Sequence, residues 1–171
     1  TLVALENLAR AARERSHARI AAITGSVGKT STKEALRRAL GAQADGPSRV
    51  CASEGNLNNH WGLPLSLARL PKEAAYGVFE MGMNHLGEIS PLSRMARPHV
   101  AVITTVSDTH REFFESLDQI ADAKAEIFDG LTPDGVAVLN ANNPKLGRIV
   151  GAARAAGVNR VMTFGSLPDA D

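Results

Sequence analysis

The chain has 171 residues, 44% of them hydrophobic, with a formal net charge of +1 and a single cysteine. That length and apolar content allow one domain with a real core and exclude disorder. The near-zero charge removes any general electrostatic case for nucleic acid or an anionic membrane. Cys51 has no intramolecular disulfide partner, and no apolar run approaches the roughly 18 residues of a membrane span. A reducing cytoplasm fits best, and a chain that opens on Thr1 and stops at Asp171 is expected to be an excised piece with missing partners.

Leu2, Leu5, Leu8, Ala9 and Ala12 recur at helical spacing and predict an amphipathic first helix. The charged stretch from Arg13 to Arg19 reads as a solvated face. The apolar run Ile20 to Ile23 then predicts a strand, and IAAITGSVGKTS (Ile20 to Ser31) puts a glycine-bracketed turn and a Lys-Thr pair directly after it. Glycines let backbone approach phosphate, successive N–H groups and a helix N-terminus present positive ends, and Lys29 adds a full charge. Thr24, Gly25, Ser26, Val27, Gly28, Lys29, Thr30 and Ser31 are therefore the candidate phosphate site, with Thr30 placed to hold Mg²⁺. The spacing departs from G-x-x-x-x-G-K-[ST], since the first glycine, Gly25, comes only three residues before Gly28. The next helix is predicted over Thr32 to Leu40, with Ala35, Leu36, Ala39 and Leu40 on one side and Gly41 as its stop.

Strands are expected at Arg49 to Ala52, Tyr76 to Phe79, His99 to Thr105, Val136 to Leu139 and Arg160 to Phe164. Helices are expected at Gly87 to Met95, Leu117 to Leu131 and Pro144 to Ala156. This alternation predicts an α/β fold: a three-layer domain with a mostly parallel sheet covered on both faces and ligands at the strands' carboxyl ends. Ala52 to Arg69 is the least regular stretch and reads as a functional loop. Within it Asn56, Asn58 and Asn59 offer amides to phosphate, to substrate or to the loop's own backbone. Trp61 is assigned to packing and Cys51 to a small core position.

Glu80 ends an apolar strand on a carboxylate, where it can meet a metal beside the phosphate loop or cap the next turn. His110, beyond another strand's carboxyl end, can ligate a cation, orient a phosphate oxygen or simply face solvent. His17, His60, His85 and His99 are read as surface or packing residues. Lys124 stands out, because it continues the apolar face of Leu117, Ile120, Ala121, Ile127, Phe128 and Leu131 in a helix whose start is marked by the Ser116/Gln119 capping-box spacing. Either its stem snorkels over apolar surface or the lysine is used chemically. A desolvated lysine loses its proton more easily, and a neutral amine can take up carbon dioxide to become a metal-binding carbamate. Asn140 can reach a nucleotide base from the sheet edge or cap a helix.

Read in order, TGSVGKTSTKE (Thr24 to Glu34), NNHWGLPLSL (Asn58 to Leu67), FEMGMNHLGEIS (Phe79 to Ser90) and ADAKAEI (Ala121 to Ile127) resemble the Mur ligases. The resemblance implies a central ATP-binding domain spanning 1–171, flanked in the family by a UDP-sugar-binding N-terminal domain and a C-terminal domain that this chain lacks. It implies the branch that joins D-alanyl-D-alanine to UDP-N-acetylmuramoyl-tripeptide through an acyl phosphate, in peptidoglycan precursor synthesis, by a monomer. It also implies Mg²⁺ on Thr30 and Glu80, a second metal on His110 and carbamylated Lys124, and nucleotide contacts from Asn59 and Asn140. Arg111 departs from the apolar residue usual after that histidine, and Asn142 and Asn143 replace a common aspartate. The alternatives are another Mur or folylpolyglutamate-type ligase, or a nucleotide-dependent switch, against which Asn140-Ala-Asn-Asn lacks a base-reading Asn-Lys-x-Asp.

Overall fold

The computed structural model describes residues 1–44, 46–108 and 113–166. Helix α1 (Leu2–Arg15) leads into β1 (Arg19–Thr24), α2 (Lys29–Gln43), β2 (Val50–Ala52), α3 (Gly62–Ala68) and β3 (Tyr76–Glu80). Then follow α4 (Ile89–Ala96), β4 (Val100–Ile103), α5 (Leu117–Ala125), β5 (Val136–Asn140), α6 (Leu146–Ala155) and β6 (Arg160–Phe164). All pairings are parallel, in the order β2-β3-β1-β4-β5-β6. Parallel strands buried on both faces explain why the strand segments read as continuous apolar runs and not as alternating ones.

Ile20, Ala22, Phe79, Met81, Ala101, Ile103, Ala137 and Leu139 carry the main core, against α1, α3, α4, α5 and α6. The opposite face is smaller: Ile23, Val50, Val78 and Val102 pack with Leu36 and Leu40 of α2. Helices thus lie on both faces, as expected, but α2 stands alone on its side among the described residues, and Met162 and Phe164 of β6 are 48% and 40% exposed. From β1 the chain leaves through α2 toward β2, whereas from the neighbouring β4 it leaves through α5 toward β5. Connections diverging from adjacent strands open a crevice at the carboxyl edge, which is where open α/β sheets bind ligands.

Several elements differ from expectation. Gly41 does not stop α2, which runs on to Gln43; it is buried, and an added Cβ would lie 3.3 Å from Pro47 Cα, so the backbone at Pro47 packs closely over it. The stretch read as irregular contains α3, whose first turn holds Gly62 and Pro64. Proline is tolerated there because the first-turn N–H has no helical partner anyway. The predicted Leu117 to Leu131 helix is α-helical only to Ala125 and tightens into a 3₁₀ turn over Glu126–Gly130. Helix α4 starts at Ile89, not at Gly87, because Gly87 turns at φ +86° and the Glu126 carboxylate accepts from the N–H groups of Ile89 and Ser90, both at 3.1 Å.

Arg13 is not on a solvated face either. It is 7% exposed, and its guanidinium donates to the carbonyls of Ala96 (2.7 Å), Arg97 (3.0 Å) and Ser16 (3.3 Å), neutralising the C-terminus of α4. His99 packs as expected, its Nδ1 accepting from Ile20 N–H at 2.9 Å, while His17, His60 and His85 are exposed. Trp61, expected to pack, is 50% exposed beside His60. Burial raises the Cys51 thiol to about 11, consistent with an inert core position.

Candidate nucleotide and metal site

The turn between β1 and α2 is built by what lies beneath it. Gly25 (φ +149°) passes directly over Thr104, so that an added Cβ would fall 1.9 Å from the Thr104 hydroxyl. That hydroxyl donates to the Val27 carbonyl at 2.6 Å. Ser26 is tied down at both ends: its N–H donates to Thr105 O at 2.8 Å, and its Oγ exchanges bonds with the backbone of Ser107 at 3.0 and 3.1 Å. Gly28 (φ +86°) is the N-cap of α2 and supplies no side-chain bond, leaving the first-turn donors of the helix to a ligand. The loop is therefore held by β4's exit through Ser26, while the first-turn N–H groups of α2 are left to face a ligand. Val27 is 58% exposed at its tip, and Thr24 is fully buried with its Oγ1 lacking a partner.

Around this turn the side chains form a charged cluster at the ends of β1 and β3, where Ile23 pairs with Glu80. Lys29 Nζ donates to Gly25 O at 2.7 Å, and burial lowers its proton affinity, partly offset by Glu80. Thr30 Oγ1 donates to Glu80 Oε2 at 3.3 Å. Glu80 is 1% exposed, and its Oε1 has no hydrogen bond although Lys33 Nζ stands 3.2 Å away. The separation puts two charges in contact, but the ammonium's directed bond goes elsewhere, to Ser53 O at 2.8 Å.

Lys124 is 2% exposed on α5, and the snorkelling alternative is thereby removed. Burial, and then the Lys29 cation, push it down to about 7, with no carboxylate among the described residues offsetting the shift. Its placement follows from the helix start: Ser116 Oγ accepts from Gln119 N–H at 3.2 Å, and Gln119 Oε1 reaches back to Glu115 N–H at 3.0 Å.

Lys29, Thr30, Glu80 and Lys124 are thus brought together. His110 lies outside the described residues. Asn59 accepts from the N–H groups of Trp61 and Gly62 at 3.1 and 2.9 Å and so caps α3. Asn140 donates to Thr104 O at 3.0 Å and accepts from Asn142 N–H at 2.9 Å, bracing the carbonyl next to the phosphate loop and not capping α6. Sequence reasoning missed Lys33, Ser53 and Thr104. Lys33 carried a usable signal, since it precedes Leu36 and Leu40 by one and two helical turns on the face that α2 buries.

Among the described residues no three His, Cys, Asp or Glu side chains cluster as a metal cage. A hydroxyl, one carboxylate with an orphaned buried oxygen and neighbouring phosphate donors match Mg²⁺, which keeps waters and shares its shell with a phosphorylated ligand. The residues present fit that ion.

Comparison with known proteins adds three findings. Residues 23–171 match the Mur ligase middle domain family. The UDP-N-acetylmuramoyl-tripeptide–D-alanyl-D-alanine ligase of Rickettsia prowazekii is 44% identical over 162 residues, covering 95% of this chain and 35% of that protein. Among solved structures, MurF from Acinetobacter baumannii superposes with a TM-score of 0.86 at 38% identity, covering 96% of this chain and 35% of that one. MurF ligase from Thermotoga maritima, solved in complex with ADP, gives 0.83 at 32% identity over 96% and 36%. The chain spans about a third of the length of the relatives it matches.

Proposed function

The chain belongs to the Mur ligase family through its middle domain, and from that premise we propose that it is the ATP-binding part of a ligase joining D-alanyl-D-alanine to UDP-N-acetylmuramoyl-tripeptide. The observation that carries this reading is the convergence of Lys29, Thr30, Glu80 and Lys124 on one crevice at the carboxyl edge of β1. The relatives that share the chain over most of its length are named for that reaction.

ATP converts the tripeptide carboxylate into an acyl phosphate, and the dipeptide amine then attacks the acyl carbon and releases phosphate. Lys29 exchanges the Gly25 carbonyl for a phosphate oxygen and, with the loop N–H donors, stabilises charge on the transferring phosphoryl group. Thr30 and Glu80 would hold Mg²⁺, which would supply positive charge beside the phosphates. Lys124, with an affinity for protons near neutrality, supplies the unprotonated amine that carbamate formation needs: the ammonium first gives up one proton, the neutral nitrogen bonds to carbon dioxide and releases a second, and the former cation becomes an anion. With His110, which lies outside the described residues, that carbamate would offer ligands to a second cation. Asn59 and Asn140 are assigned to the nucleotide, Asn140 acting from its position against the Thr104 carbonyl. UDP-sugar-binding and C-terminal domains would complete the catalyst, assigned here as a cytoplasmic monomer. Separately, no described helix is long and apolar enough to cross a membrane.

Full-length protein given ATP, UDP-N-acetylmuramoyl-tripeptide and D-alanyl-D-alanine is expected to release phosphate only when all three are present. Equal turnover with a single amino acid in place of the dipeptide would transfer the assignment to another Mur or folylpolyglutamate-type ligase.

A further inference from the structure

We propose that Lys33 is a positioning residue of the metal site: it is the counter-ion that holds the Glu80 carboxylate inside the protein and yields it to an incoming divalent cation. The inference rests on the reading that Thr30 and Glu80 hold Mg²⁺. Lys33 and Glu80 side chains are each 2% exposed, 3.2 Å apart, and sit on α2 and β3 respectively. A lysine kept for packing alone sends its ammonium to water along the stem. Here the ammonium is inside, at the end of the strand that carries the candidate metal ligand.

The bonding pattern separates attraction from saturation. Lys33 Nζ makes its directed bond to Ser53 O at 2.8 Å, so Glu80 Oε1 gains charge balance without a hydrogen bond. Among the described residues Oε2 receives only the Thr30 hydroxyl, at 3.3 Å. Buried carboxylate oxygens ordinarily have their acceptor capacity filled, and this one is held by charge with its lone pairs largely unspent. Ser53 fixes both partners: its carbonyl anchors Lys33, its Oγ accepts from Glu80 N–H at 3.1 Å, and its own N–H donates to Val78 O at 3.1 Å. Glu34 Oε1, 3.5 Å from Lys33 Nζ, gives the ammonium a second anion when Glu80 turns to a cation. The arrangement is therefore an exchange of counter-ions, in which a carboxylate that could not stay buried alone is kept ready for the metal.

The test measures melting midpoint and ADP affinity of the full-length protein, with ADP plus Mg²⁺ and with ADP plus EDTA. In the unsubstituted protein Mg²⁺ is expected to raise both. Lys33→Met, in EDTA, is expected to melt on the order of 5 °C lower, because Glu80 has lost its partner, and to recover most of that loss with Mg²⁺, so that its Mg²⁺-dependent gain exceeds that of the unsubstituted protein. Lys33→Met with Glu80→Gln should regain the midpoint in EDTA and gain nothing from Mg²⁺. An equal loss in EDTA and in Mg²⁺ overturns the proposal, as does a double variant no more stable than Lys33→Met. If Lys33→Met cannot be obtained folded, the double variant decides: folded and blind to Mg²⁺ supports the exchange, unfolded overturns it. Absence of any Mg²⁺ effect in the unsubstituted protein overturns the metal reading itself, and the inference with it, without reference to a variant.

Discussion

Lys33 and Lys124 lie on opposite faces of the sheet, on α2 and α5, and each is 2% exposed, yet their surroundings assign them opposite chemistry. Lys33 touches the Glu80 carboxylate and the Ser53 carbonyl, so its charge is used in place. Lys124 is buried near the Lys29 cation, and burial first and that charge second bring its proton affinity down to about 7. Burial alone does not make a lysine reactive; burial without an anion does, because only then is the charged form the costly one.

That contrast can be broken most visibly at Lys124. In the full-length enzyme Lys124→Ala should reduce ligation by about 10³-fold, the scale expected for losing a fixed charge at a reacting phosphoryl group, and short carboxylic acids should restore part of it. Unaltered turnover would return Lys124 to a packing role.

A second, smaller effect is on stability against pH. Lys124 is protonated in the unfolded chain up to its ordinary value of 10.5 but in the folded chain only up to about 7. Below pH 7 both states carry the proton and the folded state bears the whole burial penalty. From pH 7 to 10.5 the unfolded state binds the extra proton, so this group makes stability rise with pH, by about 1.4 kcal/mol per unit. Lys124→Met should therefore be more stable than the unsubstituted protein below pH 7, with the difference shrinking as pH rises, in denaturant titrations at several pH values. Parallel pH profiles would show that Lys124 is not the unpaired cation described.

The smallest effect sharpens how Lys124 comes to face inward. Ser116→Ala removes the cap that starts α5 and should cost about 1 kcal/mol by chemical denaturation, with ADP affinity unchanged, since the cap acts on the helix start and not on the phosphate loop. A loss of nucleotide affinity would show that the start of α5 is coupled to the loop.

Much of this was legible in the residues because the relevant forces are local. The phosphate turn announces itself through two glycines and a Lys-Thr pair after an apolar strand, and Lys124 through its interruption of an apolar face with a marked start. Lys33 breaks the face of Leu36 and Leu40 in the same way, but beside Glu34, Arg37 and Arg38 it reads as polar surface. Arg13 was misread for a related reason: in a run of charges nothing local distinguishes the one that reaches carbonyls 83 and 84 residues away. Helix α3 escaped because glycine and proline argue against a helix except in its first turn, and only the cap from Asn59 shows that this is the first turn.

By itself the sequence determined the strands, the phosphate turn and the presence of a lysine where a core residue belongs, since these follow from period, turn chemistry and helix capping over a few residues. Only the tertiary structure decided that Thr104 fills the space beneath Gly25, 79 positions earlier in the chain, that Glu80 meets Thr30 across 50 positions, and that among the described residues Lys33 has a carboxylate while Lys124 has none. Parallel strand order sets those neighbours, and the partner a buried charge meets determines whether it holds a site together or reacts within it.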